Sequence, residues 1–295
     1  MIDLHIHTVY SDGEPTVKDI LCLAEERKLD YIAFTDHDAV GAFGEAREMD
    51  YKKYFSGKII SGCEFRFVYN NMQMEVLGFG FDYDKIKNNY WVSKNSYHAI
   101  KKALLRNCLE KGKNVGFVYE NIEYREDQKA ERMFYNEIIK HEQNKPILEK
   151  FGVKHSGDFF RKMIASPESP MYFNPTNYSL SFEEAVDLIH SCGGVAVLAH
   201  PFGVYKNDDP KAVLEELLSK NKLDGLECYH ANILPEQTEY LLEKCKEHNL
   251  VSSGGSDYHA YPGQVFAKAN FGQMDIPTSL IEKLLTKIDK KNILG

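Results

Sequence analysis

Apolar runs that alternate with amphipathic stretches dominate the first third of the chain. Between the first two runs, Thr16 with Asp19 three residues later forms a capping-box signature for the start of a helix. The apolar residues that follow recur at helical spacing. We therefore expect strands to alternate with helices, the last two strands forming a hairpin. Runs rich in β-branched and aromatic side chains predict strands over residues 2–8, 31–35, 58–69 and 76–81.

The last third of the chain repeats this alternation. Ser181 with Glu184 predicts the start of a helix, and Gly193 and Gly194 predict its end. Because the strands are wholly apolar, they indicate a parallel sheet covered on both faces, as a barrel or a doubly wound sheet. Strands are predicted over residues 195–199, 225–229 and 250–253, and helices over residues 182–191, 211–220 and 235–248.

The middle of the chain departs from this pattern. Residues 89–174 are mainly charged and helical in character, for example over 96–111 and 119–141, and contain few β-type runs. We interpret this segment as a helical insertion that acts as a lid or substrate domain. The α/β domain around it comprises residues 1–88 and 175–295.

Residue types that bind metals gather where the predicted strands end. His5 and His7 stand two apart on the first strand, so their rings face the same side of it. Sites in parallel α/β folds form at the C-terminal ends of the strands, so residues far apart in sequence meet there. Further residues of this kind, all but Glu64 just after an apolar run, are Asp12, Asp36, His37, Asp38, Glu64, His200, Asp257 and His259.

The composition of this set indicates a metal centre. A single buried histidine is more often an ordinary core residue, and a single strand-end aspartate more often caps a helix. Five of the chain's eleven histidines, together with three carboxylates at successive strand ends, favour metal binding. Histidine and carboxylate ligands without cysteine suit Zn, Mn or Fe. Eight ligands exceed what one ion takes, so two or three divalent ions are expected.

Overall composition limits the other possibilities. The chain has no apolar run near the roughly 18 residues that span a bilayer and no signal-peptide pattern, so we expect a cytoplasmic protein without membrane association. Six cysteines without a CxxC pair predict neither structural disulfides nor a thiolate zinc site. A net charge of −8 argues against a surface that coats nucleic acid. Residues 85–113 nevertheless carry eight Lys or Arg and one acid, as a solvated helix face or an anion-attracting patch.

Five motifs, HIHTVYSDG, TDHD, GCEF, LAHP and GSDYH, occur in this order. They resemble the motifs of the PHP (polymerase and histidinol phosphatase) family, and in particular its stand-alone phosphoesterase branch. The resemblance covers residues 1–80 and 176–295. It implies a distorted, TIM-like (β/α) barrel of seven strands, with a three-metal site and a helical insertion.

The resemblance also implies a ligand set. Residues that match positions either orienting the ligand imidazoles or capping the backbone are Asp3, Asp36 and Asp38. One metal would be held by His5, His7, Glu64 and Asp257, a second by Glu64 and His200, and a third by Asp12, His37 and His259.

One position departs from the family pattern. Members of the branch usually carry histidine just before the apolar pair of the hairpin strand, where this chain has Glu75 in MEVLGFG. A carboxylate there would favour Mn or Fe over Zn, or would leave the second site weak or empty. The insertion also lacks the Arg-Pro-His stretch expected in this branch.

The implied function is a metal-dependent phosphoesterase that cleaves phosphomonoesters or phosphodiesters through a metal-activated hydroxide. Expected partners are small phosphorylated substrates such as nucleotides, phosphate, and short single-stranded nucleic acid, without an obligate protein partner. An amidohydrolase-type metal hydrolase and a non-catalytic metal or nucleotide-binding module are the alternatives. Candidates for substrate contact are His230, His98, Lys101 and Arg106.

Overall fold

The computed structural model describes residues 1–70, 72–125, 128–202, 209–260, 271–274 and 276–295. The chain divides into two compact units. An α/β unit comprises Met1–Lys94 and Ser179–Gly295, and a helical unit comprises Asn95–Tyr178. Within the described ranges, no helix combines the length and apolar character needed to cross a membrane.

Strands and helices alternate along the α/β unit, whereas helices fill the middle of the chain. The strands are β1 Ile2–Ile6, β2 Tyr31–Phe34, β3 Lys58–Ile60, β4 Gly62–Tyr69, β5 Met72–Phe79, β6 Leu180–Ser181, β7 Val195–Leu198, β8 Gly225–His230, β9 Val251–Gly255 and β10 Ile293–Leu294. The helices are α1 Val17–Glu26, α2 Gly41–Glu48, α3 Tyr83–Lys87, α4 Tyr90–Asn95, α5 Tyr97–Val115, α6 Ala130–Ile138, α7 Lys145–Lys150, α8 Ser156–Phe159, α9 Phe182–Ser191, α10 Pro210–Ser219, α11 Pro235–Glu247 and α12 Ser279–Leu285.

The strands of the α/β unit form two sheets. One has the order β1-β2-β3-β10 and the other the order β6-β4-β5-β7-β8-β9. The pairs β1–β2, β2–β3, β7–β8 and β8–β9 are parallel, whereas β5 runs antiparallel to both β4 and β7. Parallel bridges between Ile6 and Tyr258 and between His37 and Glu64 connect one sheet with the other. The predicted parallel sheet and hairpin are both present, and the hairpin reverses one strand within the second sheet.

The predicted strand over residues 58–69 is interrupted at Ser61. The N–H of Ser61 donates to the carbonyl oxygen of Asn292, and its hydroxyl donates to the carbonyl of Phe81. These two bonds draw the backbone out of line between β3 and β4. As a result, β3 pairs in the first sheet and β4 in the second.

Two helix starts follow the sequence prediction closely. The hydroxyl of Thr16 accepts from the N–H of Asp19, whose carboxylate accepts in return from the N–H of Thr16. Ser181 and Glu184 repeat this reciprocal arrangement at the start of α9. Both capping boxes are therefore confirmed, because they depend only on residues three apart.

The core of the α/β unit has an inner part to which both sheets contribute and two outer parts. Helices α1 and α2 pack on the first sheet, and α9, α10 and α11 pack on the second. Strand β9 approaches β1 so closely that a Cβ at Gly255 would lie 2.3 Å from the backbone nitrogen of His5. Glycine is therefore required beside the first histidine. The inner cluster includes Ile2, Leu4, Ala33, Ile60, Leu77, Phe79, Val197, Ala199 and Val251.

The helical unit has its own apolar core. Phe134 of α6 packs against Phe159 and Tyr119, with ring centroids 5.9 Å and 5.1 Å apart. The predicted helix over residues 119–141 is wrong at its N-terminal end, since residues 119–125 are not helical and the helix described in this range is Ala130–Ile138. The buried amide of Asn144 bonds the backbones of Val118 and Ile138, which holds the preceding segment in a non-helical conformation.

Candidate metal centre

Glu64 lies at the centre of a cluster of histidines in the α/β unit, and its side chain is buried. Its Oε1 is 3.0 Å from Nε2 of His200 and 3.3 Å from Nε2 of His5. Its Oε2 is 2.9 Å from Nδ1 of His37 and 3.4 Å from Nε2 of His7. One carboxylate therefore faces four imidazoles that come from three separate parts of the chain.

Asp257, just after β9, adds a second carboxylate to the side of this cluster formed by β1. Its Oδ1 lies 3.1 Å from Nε2 of His7 and 3.4 Å from Nε2 of His5. Ligand atoms of His5, His7 and Glu64 all lie within 4.8 Å of one another. The four residues predicted to share one metal are thus adjacent in space.

A second group forms around Asp12, in the loop after β1. Its Oδ1 is 3.1 Å from Nε2 of His259 and 3.7 Å from Nε2 of His37. The rings of His7 and His259 stack with centroids 4.0 Å apart. Asp12, His37 and His259, predicted as the third ligand set, are therefore brought together, and His7 lies beside them.

Glu75 points into the cluster from β5. Its Oε2 lies 3.5 Å from Nε2 of His200, and its Oε1 lies 3.7 Å from Nδ1 of His37. Burial raises the pKa of Glu75, and the neighbouring charge of Glu64 raises it further. The carboxylate at the position that departs from the family pattern thus faces the same space as Glu64 and His200.

Strained backbone holds several of these side chains in place. Asp38, His200 and Asp257 have φ angles of 47°, 24° and 53°, in the left-handed region that non-glycine residues rarely adopt. Such conformations persist where surrounding contacts over-determine them, and they concentrate at functional sites. In this protein Asp38 lies four residues after β2, and His200 and Asp257 lie two residues after β7 and β9.

The charges of the cluster compensate one another. Burial lowers the pKa of His7, but the carboxylates of Asp257 and Glu64 outweigh it and raise that pKa to about 10. Neighbouring carboxylates likewise outweigh burial at His37 and His200 and raise the pKa of each to about 9. Burial raises the pKa of Glu64, yet the charges of His5 and His37 hold this pKa well below its usual value. Protons on the histidines thus balance the carboxylates.

The residues present fit divalent metal ions. Within the described part of the chain, Nε2 of His5 and Nε2 of His7 make no hydrogen bond, although both atoms are buried and face carboxylate oxygens. Buried polar atoms without hydrogen bonds are uncommon and call for an ion or a ligand. Nitrogen and oxygen donors without sulfur are the ligands that Zn, Mn and Fe accept.

The three aspartates predicted to orient imidazoles or to cap the backbone contact backbone groups, hydroxyls and a guanidinium. Asp3 accepts from the N–H groups of Ser256 and Gly272. Asp36 accepts from the backbone and hydroxyl of Thr8 and from the hydroxyl of Ser11, which shapes the loop that carries Asp12. Asp38 pairs with the guanidinium of Arg66. Their contacts fix the backbone around the cluster.

Glu227 of β8 bonds directly to a histidine of the cluster, and the sequence analysis did not single it out. Its Oε1 lies 2.9 Å from Nδ1 of His5, and its Oε2 accepts from the N–H of His200 at 2.7 Å. A charged residue inside the apolar run GLECY was the available signal. His230, at the end of the same strand, lies with its Nε2 3.4 Å from Oδ2 of Asp257.

The other residues predicted to contact substrate belong to the helical unit. Nδ1 of His98 lies 2.9 Å from the hydroxyl of Tyr124, and the ammonium of Lys101 lies 5.0 Å from the ring centre of Tyr97. Arg106 lines a cavity of about 400 Å³ formed within this unit. Other polar residues of its lining are Asn107, Glu110, Lys111, Asn174 and Asn177.

An α/β fold with a buried cluster of histidines and carboxylates beside its strand ends is typical of metal-dependent hydrolases. The chain belongs to the PHP family, because the family model described as PHP domain matches residues 3–293. The family predicted from the five motifs is thereby confirmed.

Named relatives of this chain act on phosphate esters. The chain is 26% identical to the 5'-3' exoribonuclease Rnm of Escherichia coli K12, over 87% of this chain and 84% of that protein. It is also 26% identical to a 3',5'-nucleoside bisphosphate phosphatase of Chromobacterium violaceum, over 89% and 88%. Both names denote hydrolases of phosphoester bonds, as predicted for this chain.

A solved structure supports the fold. A Bifidobacterium adolescentis protein, provisionally described as a metal-dependent phosphoesterase, superposes with a TM-score of 0.67 at 24% identity. The superposition covers 98% of this chain and 96% of that one. At this identity the similarity establishes a shared fold.

Proposed function

We propose that this chain is a metal-dependent phosphoesterase that hydrolyses phosphomonoesters or phosphodiesters of nucleotides or short oligonucleotides. The convergence of histidines on Glu64 carries the proposal, since this arrangement has the donor set of a multi-metal site. Family membership and the phosphoester activities named for the relatives support the reaction class. These names favour it over an amidohydrolase or a non-catalytic module.

Two or three ions of Mn, Fe or Zn would be held in this cluster. Metal ions at such sites lower the pKa of a coordinated water and neutralise phosphoryl oxygens. His5, His7, Glu64 and Asp257 would hold one ion. Glu64 with His200 and Glu75 would hold a second, and Asp12, His37 and His259 a third. The contacts of Glu64, Asp257, Glu75 and Asp12 with these histidines support the assignment.

Glu75 gives the second of these sites a harder ligand than histidine. Its contacts with His200 and His37 place an oxygen donor beside Glu64. Oxygen donors suit Mn and Fe better than Zn. We therefore propose that the enzyme works with Mn or Fe in preference to Zn.

The two sheets of the α/β unit form, in our proposal, a distorted barrel. Counting β3 and β4 as one interrupted strand, its seven strands would run β1, β2, β3/β4, β5, β7, β8 and β9. The bridges Ile6–Tyr258 and His37–Glu64, and the apolar cluster to which both sheets contribute, support closure. The C-terminal ends of parallel strands in such a barrel are the usual place for an active site.

The helical unit is proposed to be an insertion domain that binds substrate. A cavity of about 400 Å³ is large enough for a nucleotide-sized ligand. The guanidinium of Arg106 would bind phosphate. The amide oxygen of Asn107 and the amide nitrogen of Asn174 would bond a base or sugar, since the other ends of these amides bond Met171 and Thr176. We also keep Lys101, His98 and, in the α/β unit, His230 as proposed substrate contacts.

A substrate and metal panel tests the proposal. Metal-free protein is reloaded with Mn, Fe(II) or Zn and assayed on p-nitrophenyl phosphate, a nucleoside monophosphate, a 3',5'-bisphosphate and a 5'-phosphorylated trinucleotide. We expect turnover of at least one phosphate ester, with Mn or Fe supporting more than Zn. Tight metal binding without turnover of any of these esters would overturn the enzyme proposal. Release of phosphate from mononucleotides indicates a phosphatase. Release of mononucleotides from the trinucleotide indicates an exonuclease.

A further inference from the structure

We propose that Glu227 is a positioning residue that sets two metal ligands, His5 and His200, at the same time. This inference rests on the proposed function, since it assigns Glu227 a role toward the proposed metal ligands. Glu227 itself belongs to none of the ligand sets named above. Its side chain is fully buried in β8, where a carboxylate is stable only if both oxygens have partners.

The two oxygens of Glu227 serve two different partners. Oε1 lies 2.9 Å from Nδ1 of His5, a side-chain contact with β1. Oε2 accepts from the backbone N–H of His200 at 2.7 Å, a contact with the end of β7. One carboxylate on β8 thereby connects a residue of β1 with a residue just after β7.

The first contact selects the ring nitrogen that His5 presents to the cluster. With the proton on Nδ1 donated to Glu227, the lone pair of the neutral ring is on Nε2. That atom lies 3.3 Å from Glu64 and 3.4 Å from Asp257 and makes no hydrogen bond within the described residues. A carboxylate behind a histidine fixes the tautomer and orientation that metal binding requires.

The second contact holds a strained backbone. His200 has a φ of 24°, which costs free energy unless neighbouring groups stabilise it. The N–H that Glu227 binds belongs to this same residue. In this conformation the imidazole reaches Glu64, with Nε2 of His200 3.0 Å from its Oε1.

Both partners of Glu227 are donors, which makes Glu227→Gln a sharp test. Glutamine keeps the shape but has one accepting oxygen and one donating amide group. If the amide faces His5, Nδ1 must accept and the proton moves to Nε2, which removes the ligand lone pair. If it faces His200, two N–H groups oppose each other, and the strained backbone loses its support.

Asp224→Asn is the matched control, because the carboxylate of Asp224 also contacts a histidine ring and a backbone N–H, away from the cluster. Its Oδ2 lies 2.7 Å from Nε2 of His190 and accepts from the N–H of Ala196 at 2.9 Å. Asp224 directly precedes β8, at the opposite end from His230. The control therefore makes the same carboxylate-to-amide change beside a histidine ring and a backbone N–H, without touching a proposed ligand.

The experiment titrates Mn²⁺ into metal-free wild type, E227Q and D224N by calorimetry, with circular dichroism to verify folding. We expect E227Q to bind roughly 10- to 100-fold more weakly than wild type, the usual effect of losing an outer partner of a metal ligand, and D224N to bind as wild type does. Wild-type affinity in E227Q, or an equal loss in both variants, would overturn the inference. If E227Q does not fold, E227D replaces it, because the shorter aspartate side chain cannot reach both partners. Wild-type Mn²⁺ affinity in E227D would also overturn the inference.

This experiment separates the inference from the proposed function. If wild type binds Mn²⁺ but hydrolyses no phosphate ester, the proposed function fails while the Glu227 comparison still stands. If wild type turns over substrate and E227Q binds metal unchanged, the inference fails alone. If wild type binds no Mn²⁺, Fe(II) or Zn²⁺, both are overturned.

Discussion

Oε1 of Glu64 lies 3.0 Å from Nε2 of His200, although 136 residues separate the two in the chain. The same carboxylate also faces His5, His7 and His37. Asp257 also contacts four imidazoles, those of His5, His7, His230 and His259, but it belongs to one proposed ligand set, whereas Glu64 belongs to two. Glu64 is thus the carboxylate that two of the proposed metal sites share.

Glu64→Gln tests this dependence. Glutamine keeps the volume but removes the negative charge and one accepting oxygen. We expect both Mn²⁺ affinity and turnover to fall by about 100-fold or more, because losing a metal ligand weakens binding more than losing a residue that only supports a ligand. Calorimetry and p-nitrophenyl phosphate assays measure the two quantities. Wild-type metal affinity in a folded variant would contradict the shared role of Glu64.

Glu75→His tests the proposed metal preference. The substitution replaces an oxygen donor beside His200 with a nitrogen donor, which suits Zn better than the original carboxylate does. We expect the ratio of Zn-supported to Mn-supported turnover to rise relative to wild type. Glu75→Gln serves as the control and is expected to lower turnover with both metals. An unchanged order of metals in E75H would show that Glu75 does not select the ion.

The raised histidine pKa values predict how stability depends on pH. The pKa of His7 is about 10, and those of His37 and His200 are about 9, against the usual 6.5. Between pH 6.5 and 10 the folded metal-free protein therefore binds more protons than the unfolded chain, so its free energy of unfolding falls as pH rises. This contribution is complete below pH 6.5 and lost above about pH 10.

Urea unfolding of the metal-free protein between pH 6 and 10 measures this effect. With metal bound, the histidines are already deprotonated, so we expect a smaller pH dependence in the loaded protein. For the same reason, metal affinity is expected to rise with pH over this range, with protons released on binding. Metal-free stability that stays constant or increases from pH 6.5 to 10 would contradict the charge balance described for the cluster.

Arg106→Ala tests substrate binding by the helical unit. Loss of a charged hydrogen bond to phosphate is expected to raise KM for a nucleoside bisphosphate about tenfold. Turnover of p-nitrophenyl phosphate, which lacks the second phosphate and the base, should stay as in wild type. The control is Lys113→Ala, an exposed cation of the same helix that lies outside the cavity lining. Equal KM changes in both variants would mean that only the overall charge of α5 matters.

Much of the α/β unit follows from local sequence patterns. The capping boxes at Thr16 and Ser181 and the apolar strands depend on residues close together in the chain, so periodicity and spacing are sufficient to predict them. Boundaries were less accurate. The break at Ser61 accompanies a hydrogen bond from its N–H to the carbonyl of Asn292, and the non-helical segment before Ala130 accompanies bonds between Val118 and Asn144. Neither partner is a near neighbour in sequence.

The candidate ligands were predictable because they follow apolar strands of a parallel fold. Such strands end at one side of the sheet, so His5, His200 and Asp257 could be expected to meet. The partners of Asp3, Asp36 and Asp38 could not be predicted in the same way. Their bonds go to backbone groups, hydroxyls and Arg66, and nothing in their spacing distinguishes these partners from imidazoles.

The sequence by itself determined the family, the alternation of strands and helices, and the residue types of the candidate metal centre. These features rest on short motifs and on periodicities of the chain. Only the tertiary structure decided which ring nitrogen of His5 faces Glu64, that His200 adopts a strained backbone, and that Glu227 bonds both. The physical reason is that tautomer, backbone strain and partner choice are set by atoms on different strands, whose approach depends on how the whole α/β unit packs.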